Sequence, residues 1–335
     1  MKRFGRGVAC MAYGEGPSWR SSPSCAVVRV AEDGTVVVQS GAVDNGQGAQ
    51  TALCQIAAEE LGVPVESVRM LMGDTWATPY DHGAVASRQT LFAGSAVKRA
   101  AAHAKGILLD FAAKELKVPR ETLVCRDSRV YVADFPKVGI SLKELSQKAI
   151  VQGQVAIGVG SYSALVSKID AESSQGLPYG SYVFATQIAE VEVDTETGWV
   201  DVLKVVAVHD CGTVVNPVLA EGQVQGAVVM GLGYACTEEI RLSPDGAVMN
   251  PGFRDYIIPT AMDMPEIDVV LLGIPDETGP FGAKGAGEPA LLPTACAVAS
   301  AVYDAVGVWI KDLPITPEKV LNAMKRKVES NRADQ

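Results

Sequence analysis

The sequence predicts an α+β protein made of two similar α/β sandwich-like units. Three observations carry the prediction. Two β-hairpin signals stand far apart, Cys25–Ser40 and Tyr182–Val208. Each hairpin leads into a turn rich in Gly, Asn or Asp, and each turn leads into an apolar helical run. The chain has 335 residues, 48% hydrophobic and 20% charged, which is room for two or three separate cores.

In the first half, Cys25–Val30 and Thr35–Ser40 are β-rich and joined by Glu32-Asp33-Gly34. Gly41–Gly48 is a glycine-rich turn. Ala49–Leu61 follows with Leu53, Ile56, Ala57 and Leu61 on one helical face, and Gly62 and Pro64 stop it. Val68–Met72 reads as a strand. A polar loop then runs to Ala86-Ser87-Arg88-Gln89-Thr90, just ahead of a long helix over about Leu91–Leu116. Val118–Gln154 reads as a strand pair and a short helix opened by the capping pattern Ser141-Leu142-Lys143-Glu144. Gln152–Gly180, rich in Gly and Ser, reads as the connection between the units. The expected division is 1–165 and 166–335.

In the second half, Tyr182–Val193 and Trp199–Val208 flank the turn Asp194–Gly198. Asn216-Pro217 marks a turn, and Val218–Gly233 is an apolar run holding Glu221-Gly222-Gln223. Ile267–Gly273 is a strand. Ala290–Val308 reads as a buried helix, and the last helix opens at Thr316-Pro317-Glu318 with Thr as cap and Pro in the first turn.

Four stretches are candidates for chemistry. Gly46-Gln47-Gly48, between strand and helix, is suited to an anion at the helix N-terminus, although neither the dinucleotide fingerprint nor a P-loop is present and a plain strand–turn–helix junction explains it as well. Ala86–Thr90 is a second candidate cradle; an N-cap by Ser87 or Thr90 explains it equally, except that Arg88 there calls for an anionic partner. Gln223 is either a satisfied core amide or a hydrogen-bonding finger toward a ligand. Gly282-Ala283-Lys284-Gly285-Ala286-Gly287-Glu288-Pro289 places one carboxylate on a close-approach loop ahead of a helix. Glu288 is there either a general base or a carboxylate favoured by the helix dipole.

Several classes are disfavoured. A net charge of −10 argues against nucleic acid or an anionic membrane as principal partner. No apolar run approaches the ~20 residues that span a bilayer, and no signal peptide is evident. Seven scattered cysteines without a C-x-x-C pair, and three distant histidines, suggest reduced thiols in the cytoplasm and no side-chain-held metal.

Taken together in order, Asn45-Gly46-Gln47-Gly48, Ala86-Ser87-Arg88-Gln89-Thr90, Asn216-Pro217 with Glu221-Gly222-Gln223, and Gly285-Ala286-Gly287-Glu288 resemble the molybdenum hydroxylases, the xanthine dehydrogenase and aldehyde oxidoreductase group. The resemblance covers nearly the whole chain but only the C-terminal half of that family's molybdopterin-binding polypeptide. It is most similar to the separate medium subunit of nicotinate dehydrogenase. Asn45 stands where members often carry Met.

The resemblance implies a subunit that hydroxylates an N-heterocycle or aldehyde with oxygen from water. It implies Glu288 as catalytic base. Gly46, Gln47, Gly48, Ala86, Ser87, Arg88, Gln89, Thr90, Gln223, Lys284 and Gly285 would contact the cofactor, and none would ligate the metal. The implied cofactor is molybdopterin cytosine dinucleotide, with a sulfido or selenido ligand on molybdenum. Implied partners are a complementary molybdopterin-binding large subunit, an iron–sulfur subunit and an FAD subunit. A non-catalytic molybdopterin carrier or insertion protein is the alternative; it needs the cradles but not Glu288.

Overall fold

The computed structural model describes residues 1–18 and 20–333, with no side-chain description beyond 330. The last two residues of the expected second unit, 334–335, lie outside the described residues. In chain order the strands are β1 Lys2–Gly14, β2 Ser24–Val30, β3 Val36–Ser40, β4 Val68–Met72, β5 Leu123–Arg126, β6 Arg129–Val132, β7 Phe135–Ser141, β8 Ile157–Tyr162, β9 Tyr182–Asp194, β10 Val200–Asp210 and β11 Glu266–Leu272. The helices are α1 Ala49–Leu61, α2 Gly94–Leu116, α3 Leu142–Val151, α4 Pro217–Cys236, α5 Thr294–Val306 and α6 Pro317–Ala333.

Two four-stranded sheets share one plan. The first has order β4-β3-β2-β8 and the second β11-β10-β9-β1. In each, an antiparallel hairpin (β2–β3, β9–β10) is followed by a helix (α1, α4) and a strand parallel to the hairpin's second member. An antiparallel edge strand completes each sheet, β8 on β2 and β1 on β9. The edge strands are exchanged. β1 precedes the first hairpin yet pairs with the second, while β8 precedes the second hairpin yet pairs with the first.

This corrects three expectations. Residues 2–14, assigned to the first unit, lie in the second sheet. The segment taken as a bare connection contains β8. A third small sheet, β5-β6-β7, also replaces the expected strand pair.

The reason for the exchange is visible in the packing. A Cβ on Gly5 or Gly7 would sit 2.2 Å from the carbonyl oxygen of Ala301 or Ala297, so only glycine lets α5 lie directly on β1. Gly158 and Gly160 of β8 meet α2 the same way, at 2.0 Å from Ala100 O and 2.3 Å from Ala96 O. Two cores result. One gathers β2–β4, α1 and α2 around Leu53, Ile56, Leu108 and Phe111. The other gathers β9, β10, α4 and α5 around Val191, Val205, Val228 and Val298. Pro289–Val306 is the one stretch among the described residues long and apolar enough to cross a membrane; here α5 within it packs into the second core.

Several local signals act as read. Gly62 ends α1 in the left-handed conformation, φ 71°. Ser141 caps α3 by accepting from Glu144 N. Asn216 caps α4 by accepting from Leu219 N, with Pro217 in the first turn, so the turn signal is a helix start. The long helix does not begin with a side-chain cap: a π-helical turn over Gln89–Ala93 leads into α2, and neither Ser87 nor Thr90 caps it.

Candidate active site

A cavity of about 270 Å³ opens where the two units meet. Its wall brings together Gln47, Gly48, Ser87, Arg88, Gln89, Thr90, Gln223, Lys284, Gly285 and Glu288. Gly46 and Ala86 belong to the same two turns but do not line it. Thr213–Val215, after β10, also line it and carried no signal in the sequence.

Glu288 lines this cleft, exposed, in the loop that follows Gly285. A short 3-10 turn, Pro289–Leu291, separates it from α5, so the dipole of that helix does not explain its place. Side chains hold it instead. Ser87 Oγ donates to Glu288 Oε2 at 2.9 Å, and Tyr13 OH donates to the same oxygen at 2.8 Å. Ser87 Oγ in turn accepts from Glu288 N at 2.9 Å. Tyr13, at the end of β1, is a site residue that sequence reading missed. Burial and then the Glu288 carboxylate push its phenol pKa well up, so it stays protonated and donates.

Ala86 and Ser87 reach this geometry through two consecutive left-handed residues, φ 49° and 52°. Such non-glycine conformations cost of order 1–3 kcal/mol each and persist only where the surroundings fix them. Here Gly16 N donates to Ala86 O at 2.9 Å, and Gly285 lies so close that a Cβ on it would be 2.0 Å from Ser87 O.

The Glu288 loop is anchored from below. Lys284, buried, donates to Asp210 Oδ2 at 2.6 Å and to Tyr182 O at 2.9 Å. Its backbone N–H reaches Cys211 O at 2.9 Å. Gly285 N donates to Oε1 of Glu15, a carboxylate only 1% exposed whose Oε2 has no partner. Burial pushes the Glu15 carboxyl up to about 7, against the Gly285 N–H, Ser181 and Lys284, which pull it down.

The expected ligand contacts divide accordingly. Arg88 does have the anionic partner its position demands, but that partner is within the chain: both side chains of the Arg88–Asp81 pair are fully buried, at 2.9 Å. The guanidinium also donates to Ser22 O and Ser24 Oγ, each at 2.8 Å. Lys284 is likewise spent on Asp210. Both charges are thus met within the chain, while both residues still line the cleft.

The Gly46-Gln47-Gly48 turn holds its own anion too. Asp44 accepts from Gly46 N, Gly48 N and Gln50 N. Burial works to raise its pKa, yet the three N–H groups outweigh it and hold the carboxyl below its usual value. Those three N–H groups are thereby occupied within the turn. Gln47 and Gln89 stitch the same corner: Gln47 Nε2 donates to Val43 O at 2.9 Å, and the Gln89 amide, oriented to satisfy both groups, pairs with Val43 N–H and C=O.

Other donors are free for a ligand. Among the described residues, the backbone N–H groups of Ser87, Ala286 and Gly287 reach no backbone acceptor, and they border the cleft. Gln223 extends from α4 into the wall as well. No group of three or more His, Cys, Asp or Glu among the described residues is placed to hold a metal ion. This donor set, with neutral N–H groups and amides and no ligating cluster, fits a polar organic cofactor that brings its own metal ligands.

Comparisons with known proteins point the same way. Residues 1–265 match the model of the molybdopterin cofactor-binding domain. The chain is 35% identical over 323 residues to the xanthine dehydrogenase molybdenum-binding subunit of Escherichia coli O157:H7, covering 95% of this chain and 42% of that protein. It is 33% identical over 304 residues to the nicotine 6-hydroxylase large subunit of Paenarthrobacter nicotinovorans, covering 90% and 36%. Among solved structures, quinoline 2-oxidoreductase from Pseudomonas putida 86 superposes with a TM-score of 0.88 at 29% identity, over 97% of this chain and 42% of that one. The chain thus spans less than half the length of these relatives. On the family match over most of its residues and on identity above 30% across nearly all of them, this chain belongs to the molybdopterin cofactor-binding domain family.

Proposed function

We propose that this chain is the molybdopterin-binding subunit of a multisubunit molybdenum hydroxylase, one that hydroxylates an N-heterocycle, nicotinate- or purine-like, or an aldehyde with oxygen from water. The observation that carries the reading is Glu288: a carboxylate fixed by two hydroxyl donors on one oxygen, in the wall of a cleft bordered by unspent N–H groups. The names of these three relatives are in keeping with a heterocycle, since xanthine, nicotine and quinoline all carry ring nitrogens, while that of the aldehyde oxidoreductase from Desulfovibrio gigas is in keeping with an aldehyde.

The cofactor, in the cytosine dinucleotide form with a sulfido or selenido ligand, would be held by the N–H groups of Ser87, Ala286 and Gly287, with the amide of Gln223 and the hydroxyl of Thr90 beside it. When bound it supplies two-electron redox chemistry and the Lewis acidity that makes water a competent oxygen donor at neutral pH. The chain's own residues do the rest. Glu288 accepts the proton that water must lose. Ser87 and Tyr13 keep its carboxylate in place. The Lys284–Asp210 pair and Glu15 hold the loop that carries it.

A complementary molybdopterin-binding large subunit would close the other side of the cleft, and iron–sulfur and FAD subunits would take the electrons, all in the cytoplasm. Purifying the assembled complex from its native host tests this. The reading requires stoichiometric molybdenum, cytosine nucleotide released on acid treatment, and oxidation of at least one N-heterocycle or aldehyde. A complex that holds the pterin and passes it on, with no turnover on any such substrate, would instead establish the carrier.

A further inference from the structure

The geometry points to Tyr13 as a positioning residue for the base: with Ser87 it saturates Glu288 Oε2, which leaves Oε1 as the oxygen that takes the proton. The inference rests on the role proposed for Glu288 and adds which of its oxygens works and what fixes that choice.

Tyr13 is the first residue of a four-residue hub, Tyr13-Gly14-Glu15-Gly16, at the end of β1. Its phenol reaches Glu288 Oε2. Glu15 binds the Gly285 N–H through its side chain and Ser181 O through its backbone. Gly16 N binds Ala86 O. The same few residues thus tie down both the left-handed Ala86–Ser87 turn and the Gly285–Glu288 loop. Gly14 serves the arrangement by having no side chain: a Cβ there would fall 2.2 Å from the ring of Tyr179.

Two donors on one carboxylate oxygen do two things. They fix the rotation of the carboxylate, because only one orientation satisfies both. They also withdraw Oε2 from proton uptake, since its acceptor directions are occupied. Tyr13 is suited to a constant donor, as its phenol holds its proton firmly in this place. Ser87 is suited to the second, as its Oγ is already fixed by the Glu288 N–H.

The test is Tyr13→Phe, which removes one oxygen and keeps the ring, beside Ser87→Ala and Glu288→Gln in the assembled, molybdenum-loaded complex. Tyr13→Phe is expected to lower kcat roughly 10- to 100-fold with KM little changed, as a misplaced catalytic group does. The loss is expected in kcat with molybdenum content unchanged, whereas a role confined to folding would lower both.

A second readout needs no turnover. With 3-fluorotyrosine at position 13 of the full chain, the ¹⁹F titration midpoint is expected to fall when Glu288→Gln removes the carboxylate. A Tyr13→Phe kcat within twofold of wild type, or a ¹⁹F midpoint indifferent to Glu288→Gln, overturns the inference. Full activity in Glu288→Gln would instead remove the base itself, so the two failures are distinguishable.

Discussion

Two buried groups tie this protein's stability to pH in opposite directions. Glu15 titrates at about 7 in the fold, because burial opposes its charge. In the unfolded chain it returns to an ordinary value near ~4.3. Between those two pH values the fold keeps a proton that the unfolded chain has lost, so stability falls as pH rises across the window. Buried His209, whose two ring nitrogens have no partner, works oppositely: burial lowers it to about 4. Its contribution is present above the unfolded value of ~6.5 and is lost as pH falls through about 4. Glu15→Gln isolates the first effect. Its melting temperature relative to wild type is expected to rise between pH 5 and pH 8. A constant difference across that range would show that Glu15 carries no such burden.

At the same scale lies the part of the site that could not be read from sequence. Glu288, Ser87, Gln47 and Gln223 were legible because their motifs place them on turns and helices that meet at one cleft. Tyr13 and Glu15 were not, since nothing local distinguishes them from other strand-end residues. Nor were the intrachain partners of Arg88 and Lys284 legible. Asp81 is close to Arg88 in sequence, but Asp210 meets Lys284 only through the tertiary fold.

Among the elements, the paired glycines of the edge strands decide which helix covers which sheet. Gly5 and Gly7 admit α5 to β1, and Gly158 and Gly160 admit α2 to β8. Gly7→Ala forces a methyl against the Ala297 carbonyl and the Ala301 amide, both at 2.2 Å, so backbone must move. Overpacking of this kind costs typically ~1–3 kcal/mol. Urea unfolding should show a loss of at least that size for Gly7→Ala, and almost none for Gly222→Ala, where a Cβ meets nothing within 4 Å. Equal losses at both positions would contradict the packing account.

These glycines also explain why β1 and β8 escaped sequence reading. Glycine weakens strand propensity, and Lys2, Arg3 and Arg6 interrupt the apolar alternation of β1. Both segments are strands because a distant hairpin pairs with them. The hairpins and α1, whose signals are local, were read almost to the residue.

Over the whole molecule, two copies of one plan exchange their edge strands, and the exchange builds the site. Because β1 crosses to the second sheet, its end carries Tyr13 and Glu15 to the junction where the Ala86–Ser87 turn of the first unit meets the Glu288 loop of the second. Glu288 is therefore held by residues from both units, and the cleft exists only where they meet. The most direct measurement of this account is Glu288→Gln in the assembled complex, with molybdenum content determined beside turnover. Loss of a general base predicts a fall in kcat of ~10²–10⁴-fold with molybdenum unchanged. Turnover within a few-fold of wild type at full molybdenum content would contradict it.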